Sequence, residues 1–351
     1  MTDTARMIRR IRWQAEACRE LGSPLYAGLI HGVADDVLAG GAAATLLAGH
    51  ETDPGASALA LRLMGGVHRL VLQRRAPALA LTYPSVGGTG DVGAAWTALR
   101  GVLVEHRDEL RRQLDQAPQT NEVGRAAALV GGLHHIVDRR PGPVRLVEIG
   151  ASAGLNLLAD QFRVIAGDGR SVGPSTSPVV LDDAWHGRPP PRAARPEVLE
   201  RFGCDTAPLD AKTTEGRLRL TSYVWPDQQA RLARLRGALA IAQRVPVVVE
   251  RSDAVGFLHR LDLVPGTTTV LWHSVMWQYL SRSEQEAAAA RIADLGARAD
   301  EKAGFAHLSL EPRRPAAGGR HEFLVVLRSW PGGEERALGT VAPHGLPTTW
   351  E

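Results

Sequence analysis

The run Val144-Arg-Leu-Val-Glu148-Ile-Gly150-Ala-Ser152-Ala-Gly154-Leu-Asn156-Leu-Leu158 constrains this chain more tightly than any other. An apolar, β-prone stretch enters a turn of small residues and leaves it as a helix. Small residues let backbone N–H groups approach a ligand at a helix N-terminus, where unpaired amides favour negative charge. In a parallel sheet such a turn lies at the carboxyl end of a strand, the edge at which these sheets bind ligands. The run therefore predicts an α/β unit with its site at the first turn.

The flanking sequence agrees. Residues 144–149, 198–203, 245–250 and 267–275 read as strands, with Cys204 to Asp210 at the end of the second and helices over 228–243 and 283–299. Strands alternating with helices predict a Rossmann-like, doubly wound, mostly parallel sheet covered on both faces. Strand-like runs at 305–310, 323–327 and 337–341 follow, and the last two predict an antiparallel C-terminal edge. Residues 167–196 are rich in Gly and Pro, include Arg188-Pro-Pro-Pro-Arg192, and read as an insertion between the first helix and the second strand. The first 140 residues read instead as helices. Met7, Ile11, Ala15 and Cys18 recur at helical spacing, Gly22 stops that helix, and Ser23-Pro24 starts the next with a cap and a first-turn proline. Further helices are expected over 56–75, 96–116 and 121–140. The expected organisation is an all-α domain over 1–140, helping to form the substrate pocket, and a sheet domain over 141–351.

Composition excludes several classes. With 44% hydrophobic and 23% charged residues the chain is neither disordered nor fibrous. Net charge is +3, spread as 16 basic against 14 acidic residues up to Arg140 and 25 against 24 after it. A nucleic-acid binder normally concentrates basic charge in one region, so no nucleic-acid partner is expected. The longest uncharged, mostly apolar run, 37–49, is too short to span a bilayer. Cys18 and Cys204 make neither a disulfide framework nor a Cys-rich zinc site, so a cytoplasmic location without a metal is expected.

Three chemistries compete for the turn. Glu148-x-Gly150-x-Ser152-x-Gly154 resembles the first motif of class I S-adenosylmethionine-dependent methyltransferases, an acid followed by glycines at alternate positions; Ser152 stands where the middle glycine is usual. Gly150-Ala-Ser152-Ala-Gly154 is also G-x-S-x-G, a hydrolase nucleophile elbow, with Asp253 and His273 or His344 in the order Ser…Asp…His. A dinucleotide fold wants G-x-G-x-x-G, and here the third glycine is misplaced. A tight strand–helix turn without ligand needs no chemistry at all. The downstream acids favour the first reading. Asp205 ends the second strand, where methyltransferases place a carboxylate on the ribose hydroxyls, and Ser252-Asp253 follows the third, where they meet the adenine. Each acid alone is equally a helix cap or a loop carboxylate.

The whole chain resembles an uncharacterised bacterial family of unknown function with a methyltransferase-like core. The matching stretches are Pro118-Gln-Thr-Asn-Glu122, the turn from Glu148 to Asn156, Cys204 to Asp210, Val224-Trp-Pro-Asp227, Trp272-His-Ser-Val-Met-Trp-Gln-Tyr279 and His344-Gly345. This resemblance implies the fold; the likeness to class I methyltransferases implies S-adenosyl-L-methionine as cofactor, held by Glu148, Gly150, Ser152, Gly154, Asn156, Asp205, Ser252 and Asp253, and methyl transfer to the oxygen or nitrogen of a small molecule. His273, after the fourth strand, is the candidate base, with Glu311 beside the same mouth. Asn121, Glu122, Trp225, Trp277 and Tyr279 are candidate substrate contacts. A hydrogen-bonded core histidine, a helix cap at Asn121-Glu122 and packing aromatics account for the same residues without a ligand. A non-catalytic adenosine-binding module is the remaining alternative.

Overall fold

The computed structural model describes residues 2–116, 118–191, 195–313 and 322–351. Its N-terminal region is helical: α1 (Asp3–Glu20), α2 (Pro24–Leu38), α3 (Ala42–Leu47), α4 (Leu59–Leu72), α5 (Pro77–Ala80), α6 (Val92–Glu105) and α7 (Arg107–Leu114). Then come α8 (Ala126–Arg139), β1 (Val144–Ile149), β2 (Arg163–Ile165), β3 (Ser171–Val172), β4 (Val180–Leu181), β5 (Trp185–Gly187) and β6 (Val198–Asp205). The remainder is α9 (Thr214–Ser222), α10 (Gln229–Ala242), β7 (Val248–Arg251), α11 (Ala254–Arg260), β8 (Thr268–Ser274), α12 (Arg282–Arg298), β9 (Gly304–Arg313), β10 (Glu322–Trp330), β11 (Glu334–Val341) and β12 (Thr348–Trp350). Two compact units result, Met1–Thr120 with Thr214–Leu232, and Asn121–Thr213 with Ala233–Glu351. The division is not a single cut at residue 140.

Local signals set the helices of the first unit. Ser23 caps α2, accepting the Tyr26 N–H, and Pro24 occupies the first turn. The helix expected over 96–116 is two, because His106 takes φ −108 and ψ 20 and breaks the run between α6 and α7. Ile11, Leu29, Leu63 and Leu99 share one core with Trp225, which comes from the returning segment. Asp227 anchors that segment: Oδ1 accepts from the Ser23 hydroxyl at 2.6 Å and Oδ2 from the Leu25 N–H at 3.0 Å.

The second unit carries a nine-stranded sheet among the described residues, ordered β5-β12-β11-β10-β9-β8-β1-β6-β7. Five of its eight neighbouring pairs are parallel, so the sheet is mostly parallel. The antiparallel part is β9 to β12, one strand longer than the sequence suggested, and β5 lies outside it, parallel to β12. Phe305 packs with α11 and α12, whereas Leu308, three residues on and therefore on the other face, meets Gly132 of α8. The insertion supplies β3 and β4 to a small sheet with β2, and β5 to the edge of the large one. Residues 192–194 of that insertion lie outside the described residues. Among the described residues no helix is long and apolar enough to cross a membrane.

Candidate functional site

The turn after β1 is built as the sequence suggested, with one substitution in the helix. Gly150, Ser152 and Gly154 take φ of 70, 53 and 71, and the helical residues that follow, Leu155–Gln161, are a 3-10 stretch. A left-handed serine is uncommon, and its neighbours hold it there. The Ser152 N–H donates to Asp205 Oδ2 at 2.8 Å, while Asp205 Oδ1 accepts from the Ala207 N–H at 2.8 Å. The Ser252 N–H donates to the Asp205 carbonyl at 3.1 Å, and Asn121 Oδ1 accepts the Leu155 N–H at 2.9 Å. Asn121, the turn, Asp205 and Ser252 thus meet at the carboxyl ends of β1, β6 and β7. A cavity of about 230 Å³ adjoins the turn, lined by Ala153, Leu158, Leu209, Val247 and Val249 among others.

Glu148 lies beneath this turn, 2% exposed. Burial pushes its carboxyl well above the usual carboxylate range; the charge of Asp205 adds to this, while hydrogen bonding from Asn156 and the charge of Arg125 oppose it. Glu148 Oε2 and Asn156 Oδ1 are both buried without a hydrogen-bond partner. An orphaned buried polar atom costs about 1–3 kcal/mol, so each of these two oxygens calls for a donor that the described residues do not supply. Gly150 has a second reason to be glycine. A Cβ there would stand 2.9 Å from the Cβ of Met276, whose side chain covers the turn.

The ends of β8 and β9 hold a second polar cluster. Glu311 Oε1 accepts from His273 Nδ1–H at 2.8 Å and from the N–H groups of Met276 and Trp277 at 3.0 and 3.3 Å. Glu311 therefore lies within β9 with a partner. His273 Nε2 faces His307 Nε2 at 2.9 Å, and Trp277 stacks on the His273 ring at 5.1 Å between centroids. His273 is 2% exposed, so the ring is held at both nitrogens inside the chain. Desolvation, followed by the charge of His273 and then of Arg328, pushes His307 well below the usual histidine range. Val275, between this cluster and Met276, takes φ 53, a genuine outlier for a β-branched residue. Arg125 Nη1 donates to the Ser274 carbonyl at 3.3 Å.

The other candidates have plainer surroundings. Asp253 caps α11 through the Gly256 N–H at 2.7 Å, and Ser252 Oγ donates to the Asp253 carbonyl. Glu122 accepts the Gly124 N–H at 3.2 Å as a cap. Tyr279 is 61% exposed. Trp225 belongs to the core of the helical unit, 6% exposed and 6.2 Å from the Tyr26 ring, because Asp227 ties its segment to the start of α2. The structure thus places this candidate substrate contact in a packed core. Sequence reasoning missed His307, Arg125, Val275 and Met276. For His307 the only local signal was the two-residue alternation of β9, which does not say what lies across from it.

No curated protein and no solved structure matches the chain. A family model described as an uncharacterised protein conserved in bacteria matches residues 8–350. With nearly the whole length covered, the chain belongs to that bacterial family, DUF2332.

Proposed function

We propose that the sheet unit binds S-adenosylmethionine at the carboxyl ends of β1 and β6 and transfers its methyl group to a small molecule. The observation that carries this is the buried, half-unpaired carboxyl of Glu148 beside the unpaired Asn156 oxygen, under a turn with three left-handed residues. Support comes also from strand order. Along β7-β6-β1-β8-β9 the order reverses between β1 and β8, and in Rossmann-like sheets the ligand crevice lies at that switch point.

The residues fit the cofactor in chemistry. Its ammonium group carries the donors that Glu148 Oε2 and Asn156 Oδ1 lack, and a cation there favours the ionised form of a carboxyl that burial disfavours. The cavity beside Ala153 pairs an apolar wall of Leu158, Val247 and Val249, which suits the face of a heteroaromatic ring, with the polar groups of Asp210 and Lys212. Asp205 spends one acceptor site of each oxygen on the turn and retains capacity for a hydroxyl. Met276 has to leave its place over Gly150 for the cofactor to lie against the turn. When bound, the sulfonium supplies an activated methyl group. The chain then aligns the acceptor and excludes water. Glu311 holds the Nδ1 proton of His273, so Nε2 is the accepting nitrogen and takes the His307 Nε2–H; it serves as a base for an acceptor only once His307 is displaced from it.

The left-handed Ser152 also fits a nucleophile elbow. Both His273 nitrogens are bonded to Glu311 and His307, so as a base for such a serine His273 would also have to lose its His307 contact. Calorimetric titration with S-adenosylmethionine and S-adenosylhomocysteine tests the proposal. Micromolar affinity, about −8 kcal/mol, weakened at least tenfold by Glu148→Gln, is expected. Absence of binding to the native chain overturns it. A fluorophosphonate label lost in Ser152→Ala would replace it with the hydrolase.

A further inference from the structure

A second cavity, of about 390 Å³, lies within the helical unit, formed by α4, α7, α9 and Tyr223. That volume falls in the range of small-molecule sites, about 300–1,000 Å³. Its walls carry three guanidinium groups, Arg69, Arg112 and Arg219, against two carboxylates, Glu109 and Glu215. Both carboxylates are already committed. Glu215 accepts both Arg69 Nη groups, at 2.6 and 2.8 Å, and Glu109 accepts both Arg75 Nη groups, at 2.8 and 2.7 Å. These bidentate pairs hold both acids below the usual carboxylate range. Arg112 and Arg219 have no hydrogen bond or ion pair among the described residues, and neither have the Tyr223 hydroxyl and the Gln113 amide.

The placement of Tyr223 is built in. Gly65 has no side chain to obstruct the ring, since a Cβ there would stand 2.6 Å from Tyr223 Cε1. Desolvation keeps the phenol protonated, against the opposing charges of Arg219, Arg62 and Arg69, so it remains a donor. A concave wall with unpaired guanidiniums and a free O–H concentrates positive potential and offers forked donors to an oxyanion.

We propose that this cleft binds a small anionic molecule by a phosphate or carboxylate group, held by Arg112 and Arg219 with the Tyr223 hydroxyl donating a further hydrogen bond. The inference stands apart from the reading of the sheet unit, whose residues it does not use. Calorimetry of the full chain at low ionic strength, with inorganic phosphate and with succinate as probes, tests it. Saturable one-site binding is expected for at least one probe, and the tighter probe identifies the anionic group. Arg112→Gln and Arg219→Gln should each weaken it at least tenfold, the scale of one charge-assisted hydrogen bond. Tyr223→Phe, which keeps the ring against Gly65, should weaken it by a smaller factor. Arg282→Gln, on an exposed side chain of α12 paired with Glu286, should leave it unchanged. No saturable binding of either probe, or equal weakening by Arg282→Gln, overturns the proposal. Circular dichroism of each variant separates lost binding from lost folding.

Discussion

Acid should loosen the helical unit through His68. The ring is fully buried on α4, with Nδ1–H donating to the Ser222 carbonyl at 3.2 Å and Nε2 accepting from the Ser85 hydroxyl at 2.8 Å. A carbonyl only accepts, so the neutral tautomer with the proton on Nδ1 is fixed by geometry. Burial pushes the ring down to about 4 from 6.5, despite backbone hydrogen bonds that oppose the shift. The folded ring thus refuses a proton that the unfolded chain accepts. Its contribution is complete above the unfolded value of 6.5 and is lost as pH falls toward 4. At ~1.4 kcal/mol per pH unit the whole window is worth about 3 kcal/mol, of which roughly 2 kcal/mol is lost between about pH 7 and about pH 5. His68→Asn keeps a donor for Ser222 and cannot titrate. The variant is less stable at neutral pH because it leaves a cavity, yet its deficit should shrink by about 2 kcal/mol at about pH 5. Hydrogen exchange read on peptides of the helical unit measures both differences without assuming that the whole chain unfolds in one step. A deficit that stays constant between the two pH values refutes the reasoning, as does an imidazole resonance of His68 that titrates at the ordinary histidine value.

Glu148→Gln should stabilise the sheet unit, increasingly as pH rises. The folded carboxyl is raised by burial, so its ionisation above the ordinary carboxylate range opposes folding in the native chain and is absent in the variant. Urea unfolding at acid and neutral pH checks it, and a variant no more stable at neutral than at acid pH sinks the account of a strained acid. Gly131→Ala should destabilise the same unit by about 1–3 kcal/mol, because a Cβ on α8 overlaps the buried Trp350 ring. A loss under ~0.5 kcal/mol would mean that the ring moves aside.

How far the sequence reaches is clearest at particular residues. The Ser23-Pro24 start of α2, the strand at β1 and the sharp turn through Gly150 and Gly154 rest on cap chemistry, β-prone residues and small side chains, all local. The adjacency of Asp205 and Ser252 to that turn was also legible, because successive strands of a parallel sheet end at one edge. The Glu311–His273–His307 cluster was legible only in part. His273 and Glu311 were picked from their strand ends, but their contact depends on the β8–β9 register, and the third member depends on which residue of β9 lies across from Leu271.

By itself the sequence determined an α/β chain with a helical beginning, the strand that carries the glycine turn and the side chains available at its mouth. Tertiary structure decided what those side chains do. It gave Trp225 and Asp227 to the helical unit, about two hundred residues away along the chain. It laid Met276 over Gly150, left Glu148 with an unpaired oxygen, and assembled Arg112 and Arg219 around one cavity. The physical reason is range. A cap, a period or a turn is satisfied by atoms within a few residues, so its signal is written locally. A pocket or a buried cluster is satisfied by groups that meet only after loops close, and no spacing along the chain encodes which ones meet.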